Sequence, residues 1–205
     1  MADPTPDSVH GVSAVCIGED GGRAALLVDG VVQSISPEDG LTNGGYWAAM
    51  VPSHPPRRAL ILGLGGGTLA RLLHTRWGDG VLVVGVDDDP TIVETARAAG
   101  WLSMPRLEVV FADAFEYLDQ CTDRFDFIAV DLFRGEQLMA RALTRPVLRR
   151  IRTLLEPPSM LAVNLFIDRR APRRIERLRA LFDIRERINV GGNVIIHARR
   201  RNNRT

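Results

Sequence analysis

Gly63-Leu64-Gly65-Gly66-Gly67 stands between an apolar run, Ala59 to Leu62, and a helix-like stretch, Thr68 to Arg76. Strand, glycine turn and helix in that order let backbone N–H groups face a ligand, because no Cβ blocks its approach. The string is one glycine short of the dinucleotide fingerprint, with Thr68 in the third glycine's place. Carboxylates follow at regular positions. The run Val81 to Val86 ends in Asp87-Asp88-Asp89-Pro90, roughly 20 residues beyond the glycine loop, where an acidic side chain would hold a ribose diol. A third run, Leu107 to Phe111, leads to Asp113, and a fourth, Phe125 to Val130, leads to Asp131. A single ligand lying across the carboxyl edge of an open parallel sheet would use such a series. Each aspartate taken alone serves equally well as a loop or helix cap.

The elements that must position these groups alternate. Asp89 and Pro90 read as the N-cap and first residue of a helix that ends before Gly100. Strand and helix alternate from about Ala59 to Phe166, with a helix ending near Leu155, a break at Pro157-Pro158 and a fifth strand, Met160 to Phe166. Such alternation demands right-handed crossovers and a parallel sheet covered on both faces. Ahead of it, His10 to Ile17, Arg23 to Val28 and Val31 to Ile35 read as short strands, the last two joined at Asp29-Gly30. Tyr46 to Val51 reads as a short helix. Ala171 to Phe182 reads as an amphipathic helix, and Ile184 to Val190 with Asn193 to Ala198 as a closing antiparallel pair around Gly191-Gly192. Residues 1–8 carry nothing to pack and are expected to be disordered. The resulting division is a tail at 1–8, a β element and linker at 9–55, the main α/β domain at 56–199 and a basic tail at 200–205.

With 205 residues and 45% hydrophobic content, the chain can bury one full core. Its formal net charge of +1 argues against a generally basic nucleic-acid surface. All 26 basic residues are arginines. The absence of lysine excludes a Walker-type phosphate lysine and Schiff-base chemistry. Cys16 and Cys121 lie far apart without metal-ligand spacing, and the four histidines are scattered, so no metal is expected. No signal-peptide pattern or membrane-length apolar run is present, which points to a cytoplasmic protein.

The stretches Leu60 to Gly67, Val86 to Pro90 and Phe111 to Leu118 resemble the spermidine synthase-like branch of the class I AdoMet-dependent transferases. Val28 to Gln33 and Tyr46 resemble the family's gate-side segment. The resemblance implies an α/β fold, doubly wound, with a mostly parallel seven-stranded sheet, an antiparallel edge strand and a small N-terminal β-hairpin element in front. It implies that Gly63, Gly65, Gly66 and Gly67 lie beneath the sulfonium tail, that Asp87 holds the ribose, and that Asp113 accepts from the adenine amino group beside Ala114. Asp88 stands where the family has an apolar residue against adenine, and the two could exchange roles if the strand ran one residue further. Gln33 and Tyr46 would cover the site, and Asp131 would orient the acceptor or the methionine amine. A homodimer formed through the β elements fits the resemblance as well.

Departures from the family decide the expected reaction. The resemblance sets Gly66 against the loop aspartate that pairs with the amine of decarboxylated AdoMet, and Arg134 against a second aspartate that deprotonates the attacking amine. The family's tyrosine-histidine-glutamate triplet is reduced to Tyr46-Trp47-Ala48. A guanidinium is no base at neutral pH and repels a polycation. The expectation is therefore a methyltransferase that passes the methyl group of S-adenosyl-L-methionine to an unidentified amine or other nucleophile, with a small-molecule or protein amine as the expected partner. The alternative is an aminopropyltransferase using decarboxylated AdoMet, and the second alternative an inactive nucleoside-binding or assembly protein.

Overall fold

The computed structural model describes residues 14–36, 45–134 and 137–201. The expected disorder at 1–8 lies outside them. Three antiparallel strands, β1 (Val15–Asp20), β2 (Arg23–Val28) and β3 (Val31–Ile35), form a front sheet, followed by α1 (Gly45–Met50). The main unit then alternates: β4 (Arg58–Leu62), α2 (Thr68–Trp77), β5 (Leu82–Asp87), α3 (Pro90–Ala98), β6 (Leu107–Phe111), α4 (Ala114–Gln120) and β7 (Phe125–Val130). A two-residue ribbon, β8 (Phe133–Arg134) with β9 (Gln137–Leu138), precedes α5 (Arg145–Leu154), β10 (Leu155–Phe166), α6 (Ala171–Arg179), β11 (Phe182–Val190) and β12 (Asn193–Arg200).

The seven-stranded sheet has the order β11-β12-β10-β7-β4-β5-β6. Neighbours from β10 to β6 run parallel, and β12 is antiparallel to both β10 and β11. After β4 the chain moves outward through β5 and β6, then returns to place β7 on β4's other side. Connections diverge at the carboxyl ends of β4 and β7 and leave a crevice there, the place where open α/β sheets bind ligands.

Apolar runs such as Ala59 to Leu62 are buried on both faces, as a covered parallel sheet requires. Leu60 and Leu62 pack with Phe115, Leu118, Leu148 and Ile151, whereas Ala59 and Ile61 pack with Leu69, Leu73 and Val93. Ala25, Leu26 and Ile35 of the front sheet share that second core, so the front sheet is cemented to α1, α2 and α3. No helix among the described residues is long and apolar enough to cross a membrane.

Several boundaries differ from the sequence reading. The first strand runs from Val15 to Asp20, past the expected end at Ile17, the expected start at His10 lying outside the described residues, and α6 ends at Arg179, leaving Phe182 to open β11. Pro157-Pro158 does not separate a helix from a strand; β10 runs through it. Leu155 pairs with Phe125 and Met160 with Phe127, so the prolines fall where the ladder is interrupted and no amide hydrogen is required.

Candidate active site

The glycine loop joins β4 to α2 beneath the front sheet. Gly63 and Leu64 both donate N–H to Val86 O, at 2.9 and 3.0 Å, which ties the loop to β5. Gly63 has φ 88°, and a Cβ there would lie 2.2 Å from the carbonyl oxygen of Asp131. The close approach of the β4 and β7 ends therefore excludes every side chain at this position.

The remaining loop amides are largely committed within the protein. Gly65 N–H donates to Asp87 Oδ2 at 2.7 Å, and Gly66 N–H donates to the buried Ser34 Oγ at 2.7 Å. The expectation that these groups would point at a ligand is corrected accordingly. Thr68 completes the seam: its hydroxyl accepts from Ile35 N–H at 3.1 Å and donates to Ile35 O at 3.2 Å. In the third glycine's place, threonine locks β3 onto the start of α2.

The aspartates gather along the carboxyl edge. Asp87, at the end of β5, accepts from Asp89 N–H through its second oxygen at 3.1 Å. Burial raises its pKa against the lowering effect of the two amide bonds, and the neighbouring Asp88 and Asp89 raise it further. Asp89 caps α3 through the amides of Thr91 and Ile92, and Asp113 caps α4 through those of Phe115 and Glu116. Asp131 follows β7. Its Oδ2 accepts from Tyr46 Oη at 3.2 Å and its Oδ1 from Asn164 Nδ2 at 2.8 Å. Burial pushes this carboxyl up to about 6, the two hydrogen bonds pull it back, and Asp87 adds to the rise. Burial, reinforced by Asp131, holds the Tyr46 hydroxyl well above its ordinary value, so it stays a neutral donor. The Tyr46 ring lies against Trp47, centroids 4.3 Å apart.

A cleft of about 490 Å³ opens over this edge. Gln33, Tyr46, Gly63, Gly65, Asp87, Asp88, Asp113, Ala114 and Asp131 line it, together with Asp89, Ile92 and Phe115. Gly66 and Gly67 do not. A Cβ on Gly66 would meet Ser34 Cβ at 2.7 Å and the Trp101 ring at 3.1 Å, and one on Gly67 would meet Leu102 at 2.6 Å. An acidic side chain at 66 would enter that seam and not the cleft, so its absence carries no information about the methionine carboxylate. Asp87 closes β5 and bonds the glycine loop, while Asp88 is exposed at the rim; the strand does not run one residue further. Arg134 lies in β8, its side chain outside the described residues.

Sequence reasoning missed Asn164, Ser34 and Thr68. A signal existed for the first: Asn164 is the one amide side chain in the otherwise apolar Met160 to Phe166 run.

No family model matches the chain. The polyamine aminopropyltransferase of Neisseria meningitidis is 32% identical over 131 residues, which cover 62% of this chain and 49% of that protein. The chain thus spans about half the length of the curated relatives it matches. A probable spermidine synthase from Corynebacterium glutamicum superposes with a TM-score of 0.75 at 17% identity, covering 91% of this chain and 77% of the other. Human methyltransferase-like protein 13, solved in complex with SAH, superposes with a TM-score of 0.62 at 20% identity, covering 72% and 73%. At such identities the two structures speak for the fold alone. The expectation of methyl transfer is corrected by the sequence relative, whose named reaction is aminopropyl transfer.

Proposed function

For a chain that is spermidine synthase-like in sequence and built on the class I methyltransferase fold, we propose aminopropyl transfer from decarboxylated AdoMet to a small amine. The observation that carries this reading is the charge of the cleft. Asp87, Asp88, Asp89, Asp113 and Asp131 all line it, and no described basic side chain does. A donor with a sulfonium and a free amine is cationic at both ends, and the acceptor amine is cationic in water. Five carboxylates around one concave site attract such a pair and repel the intact methionine carboxylate. The cleft's volume falls within the few hundred Å³ usual for small-molecule sites.

In this reading Asp87 takes the ribose hydroxyls on the lone pairs its two amide donors leave open, Asp113 takes the adenine amino group beside Ala114, and Ile92 and Phe115 flank the ring. Gln33 and Tyr46 close the front. When bound, the sulfonium supplies an electrophilic methylene carbon: the acceptor nitrogen forms a C–N bond as the C–S bond breaks and a thioether leaves. Asp131 receives the proton the nitrogen loses. A carboxylate raised to about 6 is ionised at neutral pH, yet is a stronger base than an ordinary one. Tyr46 and Asn164 fix its two oxygens while it does so.

Calorimetric titration with decarboxylated AdoMet and, separately, AdoMet tests the reading, on the wild type and on Asp87→Ala, followed by a transfer assay with putrescine. Tighter binding of the decarboxylated donor, lost in the variant, with transfer to the diamine is the expected result. Preference for AdoMet, or binding of neither donor, overturns it.

A further inference from the structure

At the sheet edge opposite the candidate active site, the start of β7, the start of β10 and the end of β12 converge. Arg124 precedes β7, Arg149 and Arg152 lie toward the end of α5, and Arg200 closes β12. These four arginines, with Glu156 and Leu181, line a groove of about 750 Å³.

Three of the arginines are held in place by main-chain acceptors, Arg152 through Arg201 O at 3.2 Å. Arg124 donates to Thr153 O, and Arg200 donates to Leu155 O at 3.0 Å, so both satisfy carbonyls where α5 gives way to β10. Each uses one of its five N–H donors in doing so. Arg149 is exposed, and its guanidinium bonds to no side chain or carbonyl among the described residues. No described carboxylate lies within ion-pair distance of Arg124, Arg149 or Arg200. Just outside the groove the pattern reverses, with Arg179 on Glu176 at 2.6 Å and Arg201 on Asp183 at 3.1 Å. Charge has been compensated around the groove and left standing at Arg124, Arg149 and Arg200, with Glu156 as the single carboxylate in the lining.

The geometry points to a second binding site, for a compact polyanion carrying two or more phosphate groups. Oriented guanidinium forks match phosphate oxygens in paired hydrogen bonds, and a multiply charged anion removes the repulsion among Arg124, Arg149 and Arg200. The groove encloses a volume suited to one small molecule. Its lining contains no aromatic ring on which a base could stack, which separates it from a single-stranded nucleic-acid track. Lying at the opposite edge, it fills without occupying the acidic cleft.

Titration calorimetry of the full chain with sodium tripolyphosphate at fixed ionic strength tests this site. One saturable site is expected, weakened about tenfold by Arg149→Glu, the loss of one charge-assisted fork plus a repulsive charge. Arg97→Glu, an equal charge change on exposed α3, is expected to bind within about twofold of wild type. Matching thermal melts of the two variants before titration show that both are folded. Absence of saturable binding, or equal weakening by both variants, overturns the site. Tighter binding of a 12-nucleotide polyuridine RNA than of tripolyphosphate also overturns it, in favour of nucleic acid.

Discussion

Asn164 reaches from β10 to place its Nδ2 2.8 Å from Asp131 Oδ1, while its own Oδ1 is buried without a partner among the described residues. The amide thus spends its donor on the carboxylate and leaves its acceptor unused. Tyr46 holds the second carboxylate oxygen from the front. Both donors favour the charged form, against the burial that raises it.

The acid limb of the pH profile for kcat/KM is therefore expected at about pH 6, where Asp131 loses its proton. Asn164→Ala and Tyr46→Phe each remove a hydrogen bond to the ionised form, so both move the limb upward. A charge-assisted bond worth ~1.5–3 kcal/mol corresponds to roughly one to two pH units. A limb that stays in place in both variants would show that Asp131 is not the titrating base.

The same carboxylate is expected to limit stability. Its folded pKa, about 6, lies above the unfolded value of 3.8, so its favourable contribution is complete below the unfolded value and is lost as pH rises through 6. At pH 8 the ionised group costs on the order of 3 kcal/mol, and Asp131→Asn removes that cost while Asn164 still donates to the amide oxygen and Tyr46 turns to accept from the amide nitrogen. The variant should melt several degrees higher than wild type at pH 8 and within about a degree of it at pH 4, while losing transfer activity. An equal difference at both pH values would refute the linkage.

Two glycines with left-handed φ should respond differently to alanine. Gly191→Ala, at φ 56° with no heavy atom near the new methyl, should cost about 1 kcal/mol of strain. Gly63→Ala adds a clash with the Asp131 carbonyl and should cost several kcal/mol or prevent folding. Urea denaturation of the pair checks the ordering, and equal costs would contradict the observed strand approach.

Ser34→Ala strands the Gly66 N–H in a dry seam, at about 1–3 kcal/mol. Thr68→Val should act similarly on Ile35. Hydrogen exchange should report both losses as faster exchange of the β3 amides, with β7 unaffected. Unchanged protection of β3 would mean that the front sheet is held by its apolar contacts alone.

The parallel core and its aspartate-bearing edge follow from the order of the residues alone. Uninterrupted apolar runs must be covered on both sides, and each ends in a glycine turn or an aspartate, so Asp87, Asp113 and Asp131 share one edge whatever the details. Tertiary structure decided what depends on register and on partners distant in the chain. Pro157-Pro158 breaks a pattern read locally, yet it rides inside β10 because a ladder irregularity asks nothing of its missing N–H. Ser34 and Gly66 meet over 32 residues, Asn164 and Asp131 over 33, and Tyr46 and Asp131 over 85. No local periodicity encodes such pairs. Direction is equally invisible in a string: Gly65 lines the cleft while Gly66, one residue on, faces Trp101, because successive Cα–Cβ vectors in a tight turn diverge. The arginine groove likewise exists only once β7, β10, β12 and α5 converge, since like charges scattered from 124 to 200 become one field only when the sheet sets them side by side.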